Sequence, residues 1–142
     1  ITVRRSRLRG IEVDPEFVPL AIDEFPVLFV AAACAEGETL FRGIGELRVK
    51  ESDRIAAMAE GLRRLGIEVE ETVDSARIRG AGRLPGGRID SHGDHRIAMA
   101  FAVAGVAAGE PIEITDVANV ATSFPGFPET CRQAGLGLET DD

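Results

Sequence analysis

The run Gly37-Glu38-Thr39-Leu40 returns as Gly109-Glu110-Pro111-Ile112, 72 positions further along. A match at fixed spacing restricts topology more than any composition figure, because a repeated stretch implies a repeated supersecondary unit. The same shift carries Asp23 onto His95, Glu24 onto Arg96 and Lys50 onto Thr122. Leu65-Gly66-Ile67 resembles Ala134-Gly135-Leu136 after a three-residue shortening. Hydrophobic patterning and turn residues supply the elements. Strands are expected at 11–13 and 39–42 around a helix over 23–35, then a helix over 52–65 and strands at 67–71 and 76–79. After the turn-rich 80–87 the order restarts: extended 88–90, helix 95–107, extended 112–115, helix 125–133 and extended 136–139. The expected class is α/β, a β-α-β-α-β unit occurring twice, with one unit over 1–80 and the other over 81–142.

Equivalent helices of such units point the same way, so their N-termini gather at one end. Unpaired N–H groups and a partial positive charge make those ends anion sites. Nearly all of the unusual polar clusters read as helix starts: Asp23-Glu24, Lys50-Glu51-Ser52-Asp53-Arg54, Asp94-His95-Arg96 and Ala121-Thr122-Ser123. The net charge of −8 argues against a nucleic-acid surface, which needs a basic face. Of sixteen basic residues only Lys50 is a lysine. Either it has a task a guanidinium cannot perform, or it is the accident of an arginine-biased composition. The apolar stretch 25–35 falls short of the roughly 20 residues that span a bilayer. No basic segment followed by an apolar one marks export, and Cys34 and Cys131 lack CxxC spacing. Reduced thiols, a cytoplasmic setting and no membrane partner are expected.

In the cluster 48–54, Ser52 or Asp53 suits a helix cap, worth about 1 kcal/mol. Three cations, Arg48, Lys50 and Arg54, at a positive helix end do not suit one. An anionic ligand that all three face would explain them. His92-Gly93-Asp94-His95-Arg96 has no metal-ligand spacing of the HExxH kind, and no metal is expected. Asp94 reads as a cap, and Arg96 sits in the first turn of an apolar helix, where a bidentate anion contact would account for it. Asp23-Glu24 before Phe25-Pro26 reads as a capping pair with proline near the first helical position. Ala121-Thr122-Ser123-Phe124-Pro125 likewise reads as a capped start.

Taken together, Asp23-Glu24-Phe25-Pro26, Leu47-Arg48-Val49-Lys50-Glu51-Ser52-Asp53-Arg54, Gly93-Asp94-His95-Arg96-Ile97-Ala98-Met99 and Ala121-Thr122-Ser123-Phe124-Pro125 resemble the EPSP (5-enolpyruvylshikimate-3-phosphate) synthase family in order and spacing. The resemblance covers essentially the whole chain and about the last third of the family's length. It implies transfer of the enolpyruvyl group of phosphoenolpyruvate (PEP) to the 5-hydroxyl of shikimate 3-phosphate, with release of phosphate, in aromatic amino acid biosynthesis. It also implies a fold of βαβαββ units with helix N-termini facing a cleft, about two units being present here, and no metal or organic cofactor. By position, Asp23 resembles the residue that contacts the shikimate hydroxyls and accepts a proton. Lys50 resembles the lysine bridging shikimate 3-phosphate and PEP, and Glu51 the carboxylate that protonates the PEP methylene. Arg54 and Arg96 resemble arginines that hold PEP, while Asp94 and His95 belong to the same motif with lesser claims. Thr122 stands where the best-known branch has a lysine that contacts PEP, and is a secondary candidate.

The resemblance also implies that the N-terminal domain, with its own phosphate-binding loops, is absent, and that this chain alone is inactive. Two other readings are the sister enzyme acting on UDP-N-acetylglucosamine, and a non-catalytic binding or assembly fragment. The motifs around Lys50 and Arg96 favour the shikimate enzyme over the sister enzyme.

Overall fold

A computed structural model describes residues 1–140. Two short helical pieces, a 3-10 turn Pro15–Phe17 and α1 (Val18–Ala21), lead through a second 3-10 turn, Ile22–Glu24, into α2 (Phe25–Cys34). Strand β1 (Glu36–Arg42) comes next, then a 3-10 turn Gly45–Val49 and α3 (Arg54–Arg64). β2 (Glu68–Glu71) and β3 (Ser75–Ala81) form a hairpin, and β4 (Gly87–Asp90) precedes α4 (His95–Ala104). The chain closes with β5 (Ile112–Thr115), α5 (Ala118–Ser123) and α6 (Phe127–Gln133).

The main sheet has the order β1-β3-β2, with β3 antiparallel to both neighbours. Side chains alternate across a strand, so one face is set by register. Thr39 lies opposite Ile78 and Phe41 opposite Ala76, while Val69 faces Ile78 from the other side. All five are buried and line the core. Helix α2 lies on this face, where Phe29 stacks on Phe41 at 4.8 Å and Phe25 meets Phe41 edge-on at 5.5 Å. Such ring pairs add about 0.5–1.5 kcal/mol to the area they bury.

A β-α-β crossover occurs twice. Around α2, the segment near 9–13 pairs in parallel with β1 through the bridges Arg9↔Glu36 and Glu12↔Leu40, and Leu40 N–H donates to the Ile11 carbonyl at 2.9 Å. Around α4, β4 and β5 pair in parallel from Gly87↔Ile112 to Asp90↔Thr115. The two crossovers meet where α4 packs on α2 and α3. Gly61 permits the second contact, because a Cβ there would lie 2.4 Å from the Phe101 ring. At the other end of the pair, Arg54 at the start of α3 lies 2.8 Å from Asp94, the cap of α4.

Three expectations need correction. Residues 136–139 form no strand; Leu136 N–H turns back to the Cys131 carbonyl, and Leu138 O accepts from Arg132 Nε. Residues 11–13 make isolated bridges instead of a regular strand. Thr122 and Ser123 end α5 instead of starting a helix, and α6 starts after Gly126 without a side-chain cap. Local sequence favours a cap at Ser123-Phe124-Pro125, but residues 118–123 wind first. The helical pieces from Pro15 to Cys34 together reach the length and apolarity of a bilayer span. They are broken into short segments, with acidic Asp23 and Glu24 in the second 3-10 turn, and α2 buries its Phe25, Phe29 and Val30 in the core.

Candidate functional site

Arg54, the first residue of α3, is 1% exposed, and it draws three distant segments together. Its Nε donates to Asp94 Oδ2 at 2.8 Å, its Nη1 to Asp23 Oδ1 at 3.1 Å and its Nη2 to Glu51 Oε2 at 2.5 Å. A buried guanidinium at the positive end of a helix is costly unless its donors are matched. The planar fork resolves this by holding carboxylates at fixed angles to one another. Burial works against the charge, yet the bonds to Asp94, Glu51 and Asp23 outweigh it, and Arg54 is held protonated more firmly than a free arginine.

Asp94 is fully buried and serves two ends at once. Its Oδ1 caps α4 by accepting the Arg96 N–H at 2.9 Å, and its Oδ2 takes Arg54 and the Ser52 hydroxyl at 2.9 Å. Burial would raise its pKa, but Arg54, Ser52 and the Arg96 amide together hold the carboxyl below its ordinary range. The expected cap at Asp94 is present. Asp53 caps α3, its Oδ1 accepting from Ala56 N–H at 3.0 Å, while Ser52 is turned to Asp94. Asp23 and Glu24 make no side-chain cap to α2; Asp23 is taken by Arg54, and its backbone carbonyl accepts from Arg96 Nη1 at 3.1 Å. The plain capping reading of this pair therefore fails, and Asp23 belongs to the cluster.

Arg96 is looser. Its closest carboxylate contacts are 3.5 Å to Glu24 and 3.7 Å to Asp23, and its side chain is 31% exposed. It stands at the rim of a concavity of about 220 Å³ whose apolar wall includes Pro26, Met99 and Phe124. Lys50 pairs with Glu46 Oε1 at 2.5 Å. The carboxylates facing the cations are exposed: Glu51 by 55%, Asp23 by 49% and Glu46 by 61%. Lys50, Arg54 and Arg96 thus each have at least one partner carboxylate open to water.

The remaining candidates lie apart. Arg48 does not join Lys50 and Arg54 toward one ligand, as its cluster suggests; it binds Asp53, Glu71 and the carbonyls of Thr72 and Val73. His95 opens α4 half-buried, and His92 turns outward to Glu60 at 3.4 Å. Thr122 is exposed on α5, although Phe124 beyond it reaches the concavity beside Arg96. A brace that sequence reading missed sits behind Asp94. The Ser91 hydroxyl donates to the Asp116 carbonyl at 2.7 Å, and Asn119 Nδ2 donates to the Gly93 carbonyl. His92 and Asp116 both take left-handed backbone, with φ of 54° and 59°, an uncommon conformation outside glycine. No local pattern marks these residues, because each partner lies about 25 positions away.

The sequence matches a family model described as EPSP synthase (3-phosphoshikimate 1-carboxyvinyltransferase) over residues 1–131. It is 65% identical over 139 residues to the 3-phosphoshikimate 1-carboxyvinyltransferase of Acidithiobacillus ferrooxidans, covering 98% of this chain and 32% of that protein. The enzyme of the same name from Halorhodospira halophila is 62% identical over 141 residues, covering 99% of this chain and 32% of its own length. A solved structure of EPSP synthase from Acinetobacter baumannii superposes with a TM-score of 0.92 at 51% identity, covering 96% of this chain and 32% of that one. The chain spans about a third of the length of the curated relatives it matches.

Proposed function

The chain belongs to the EPSP synthase family, and from that premise we propose that it forms part of an enzyme moving the enolpyruvyl group of PEP onto the 5-hydroxyl of shikimate 3-phosphate, with phosphate as the leaving group. The observation that carries this reading is the convergence of Asp23, Glu51 and Asp94 on the single guanidinium of Arg54, with Arg96 beside Asp23. Both substrates are anions, so cations must be present but not consumed by permanent partners. The exposed carboxylates of Glu46, Glu51 and Asp23 fit that requirement. On this reading Arg54 and Arg96 bind PEP, and Lys50 leaves Glu46 to bridge the two substrates. Positive charge so placed stabilises the phosphate as it departs.

Glu51, freed from Arg54, is the proton donor to the PEP methylene, and Asp23 orients the shikimate hydroxyls and accepts the proton. Asp94 sets Arg54, while His95 and Thr122 lie at the margin of the site. Residues 1–80 and 81–142 are read as two units of one domain, the rest of the enzyme and its share of the cleft lying outside this sequence. The reading is tested by adding separately purified remaining segment to this chain and measuring phosphate release from the two substrates. Release only when both parts are present supports it; none in the mixture, where the intact enzyme is active, removes this chain from the catalytic role.

A further inference from the structure

Arg48 has no part in the proposed chemistry, yet its guanidinium is fully engaged. Nη1 donates to both oxygens of Asp53 at 3.0 and 2.7 Å, Nη2 to Glu71 Oε2 at 2.9 Å and Thr72 O at 2.5 Å, and Nε to Val73 O at 3.0 Å. Arg48 and Asp53 are five positions apart, so their pairing closes the backbone between them into a small loop. At its apex stand Lys50 and Glu51, and residues 50–52 belong to neither helix nor strand. The β2–β3 turn also holds the start of the 3-10 turn that carries Arg48: Asp74 Oδ1 accepts Gly45 N–H at 2.6 Å and the Asp74 carbonyl accepts Ile44 N–H at 3.1 Å. Asp53 is also the cap of α3. The loop is therefore pinned to a helix at one end and a hairpin at the other, and one arginine touches both anchors.

We propose that Arg48 is a positioning residue whose pairing with Asp53, buttressed by the β2–β3 turn, fixes the loop that presents Lys50 and Glu51. The proposal rests on the enolpyruvyl-transfer reading of the site. A loop without regular backbone bonding cannot hold an acid and a cation at a defined separation by itself, and misplacement by about 1 Å is enough to cost about 100-fold in rate. Lysine would not replace Arg48, since an ammonium has no fork to span Asp53 and Glu71 together.

The test uses the full-length protein with Arg48→Gln, Asp53→Asn and, as control, Arg63→Gln. Asparagine caps helices about as well as aspartate, so Asp53→Asn removes the charge pair and keeps the cap. Arg63 binds Glu71 at 3.2 Å and the Val69 carbonyl, so its loss weakens the same hairpin without touching the loop. Arg48→Gln and Asp53→Asn are expected to lower kcat about 10- to 100-fold with the KM for PEP little changed, and Arg63→Gln to stay within about twofold. In a Glu51→Gln background, Arg48→Gln should cost clearly less than it does alone, because part of its effect acts through Glu51 and only the part through Lys50 remains. Lys50 is the single lysine of these 142 residues, so a lysine-specific protease, with the fragment that begins at Glu51 followed by mass, reads loop opening at this bond. Native-state cleavage there should rise about tenfold or more in Arg48→Gln and Asp53→Asn alone.

Wild-type kcat in Arg48→Gln overturns the proposal, as does an equal loss in Arg63→Gln. Losses that multiply in full in the Glu51→Gln background, or a kcat loss without faster cleavage, also overturn it. If Glu51→Gln itself turns over like wild type, the functional reading fails instead, and the cleavage rates decide the loop's anchoring by themselves.

Discussion

The two crossovers are extended differently at their C-terminal ends. Beyond the first, β1 takes β3 on its free side, and the β2–β3 hairpin gives a three-stranded sheet with a buried face. Beyond the second, β5 is joined by β4 alone among the described residues, and α5 and α6 lead to residues 136–139 without another strand. Two strands are marginal without further packing. The second half therefore takes its footing from α4 on α2 and α3. The same asymmetry runs into the site. Arg54 and Arg96 both sit in a first helical turn, but Arg54 is sealed among carboxylates while Arg96 is 31% exposed with long contacts. The first half holds Arg54 in a buried junction, and the second leaves Arg96 partly open.

That contrast can be broken in several places. The largest effect is expected in the first half. Glu51→Gln in the full-length enzyme keeps shape and removes the proton, so kcat should fall about 10²–10⁴-fold with smaller changes in KM. Unchanged turnover would reduce Glu51 to a partner of Arg54. Next, Arg54→Met should destabilise the protein by about 3–5 kcal/mol in urea unfolding, because Asp94 is left charged and buried.

The same pair sets a pH dependence. The folded Asp94 carboxyl lies below its ordinary pKa, so its stabilisation is complete above about pH 4 and is lost as pH falls through the lower folded value. Asp94→Asn should flatten that acid limb; an unaltered limb would place the acid sensitivity elsewhere.

Arg96→Met is expected to leave stability within about 1 kcal/mol, since exposed pairs contribute little. It should raise the KM for PEP by about 10- to 100-fold, as loss of a charge-assisted bond of about 1.5–3 kcal/mol would. If it unfolds the protein as Arg54→Met does, the contrast between the halves is false. The smallest effect is assigned to Thr122, the counterpart of Lys50 under the 72-residue shift. Thr122→Ala should change kcat/KM by no more than about threefold, an exposed residue outside the set of Arg54's partners. A larger loss would give the second half a second contact with substrate.

Periodicity and turn residues foretell the cores of the elements: α3, the β2–β3 hairpin, β4, α4 and β5 all fall within a few residues of their expected spans. What local pattern does not supply is the identity of partners. Asp23-Glu24 looks like a cap, and only the fold reveals that Asp23 is drawn to an arginine 31 positions later. Arg48 and Arg54 look alike in sequence, yet one serves a hairpin and the other a buried junction. The short α5 has too little amphipathic length to register, so Thr122-Ser123 reads as the start of a helix that it in fact ends. Asp116, Asn119 and Ser91 are silent in the sequence because their bonds are long-range.

Gly61 shows how far such a junction reaches. It lies seven residues, about 10 Å of helix, from Arg54 and touches none of the charged groups. Glycine inside a helix sacrifices about 0.8–1.0 kcal/mol relative to alanine, and the fold accepts this because the Phe101 ring occupies the space a methyl would need. Alanine at this one position would therefore exchange a gain in helix propensity for a clash between α3 and α4. A descendant could gain the better helix former only by finding, at the same time, a smaller residue in place of Phe101, so the pair is expected to drift together or not at all.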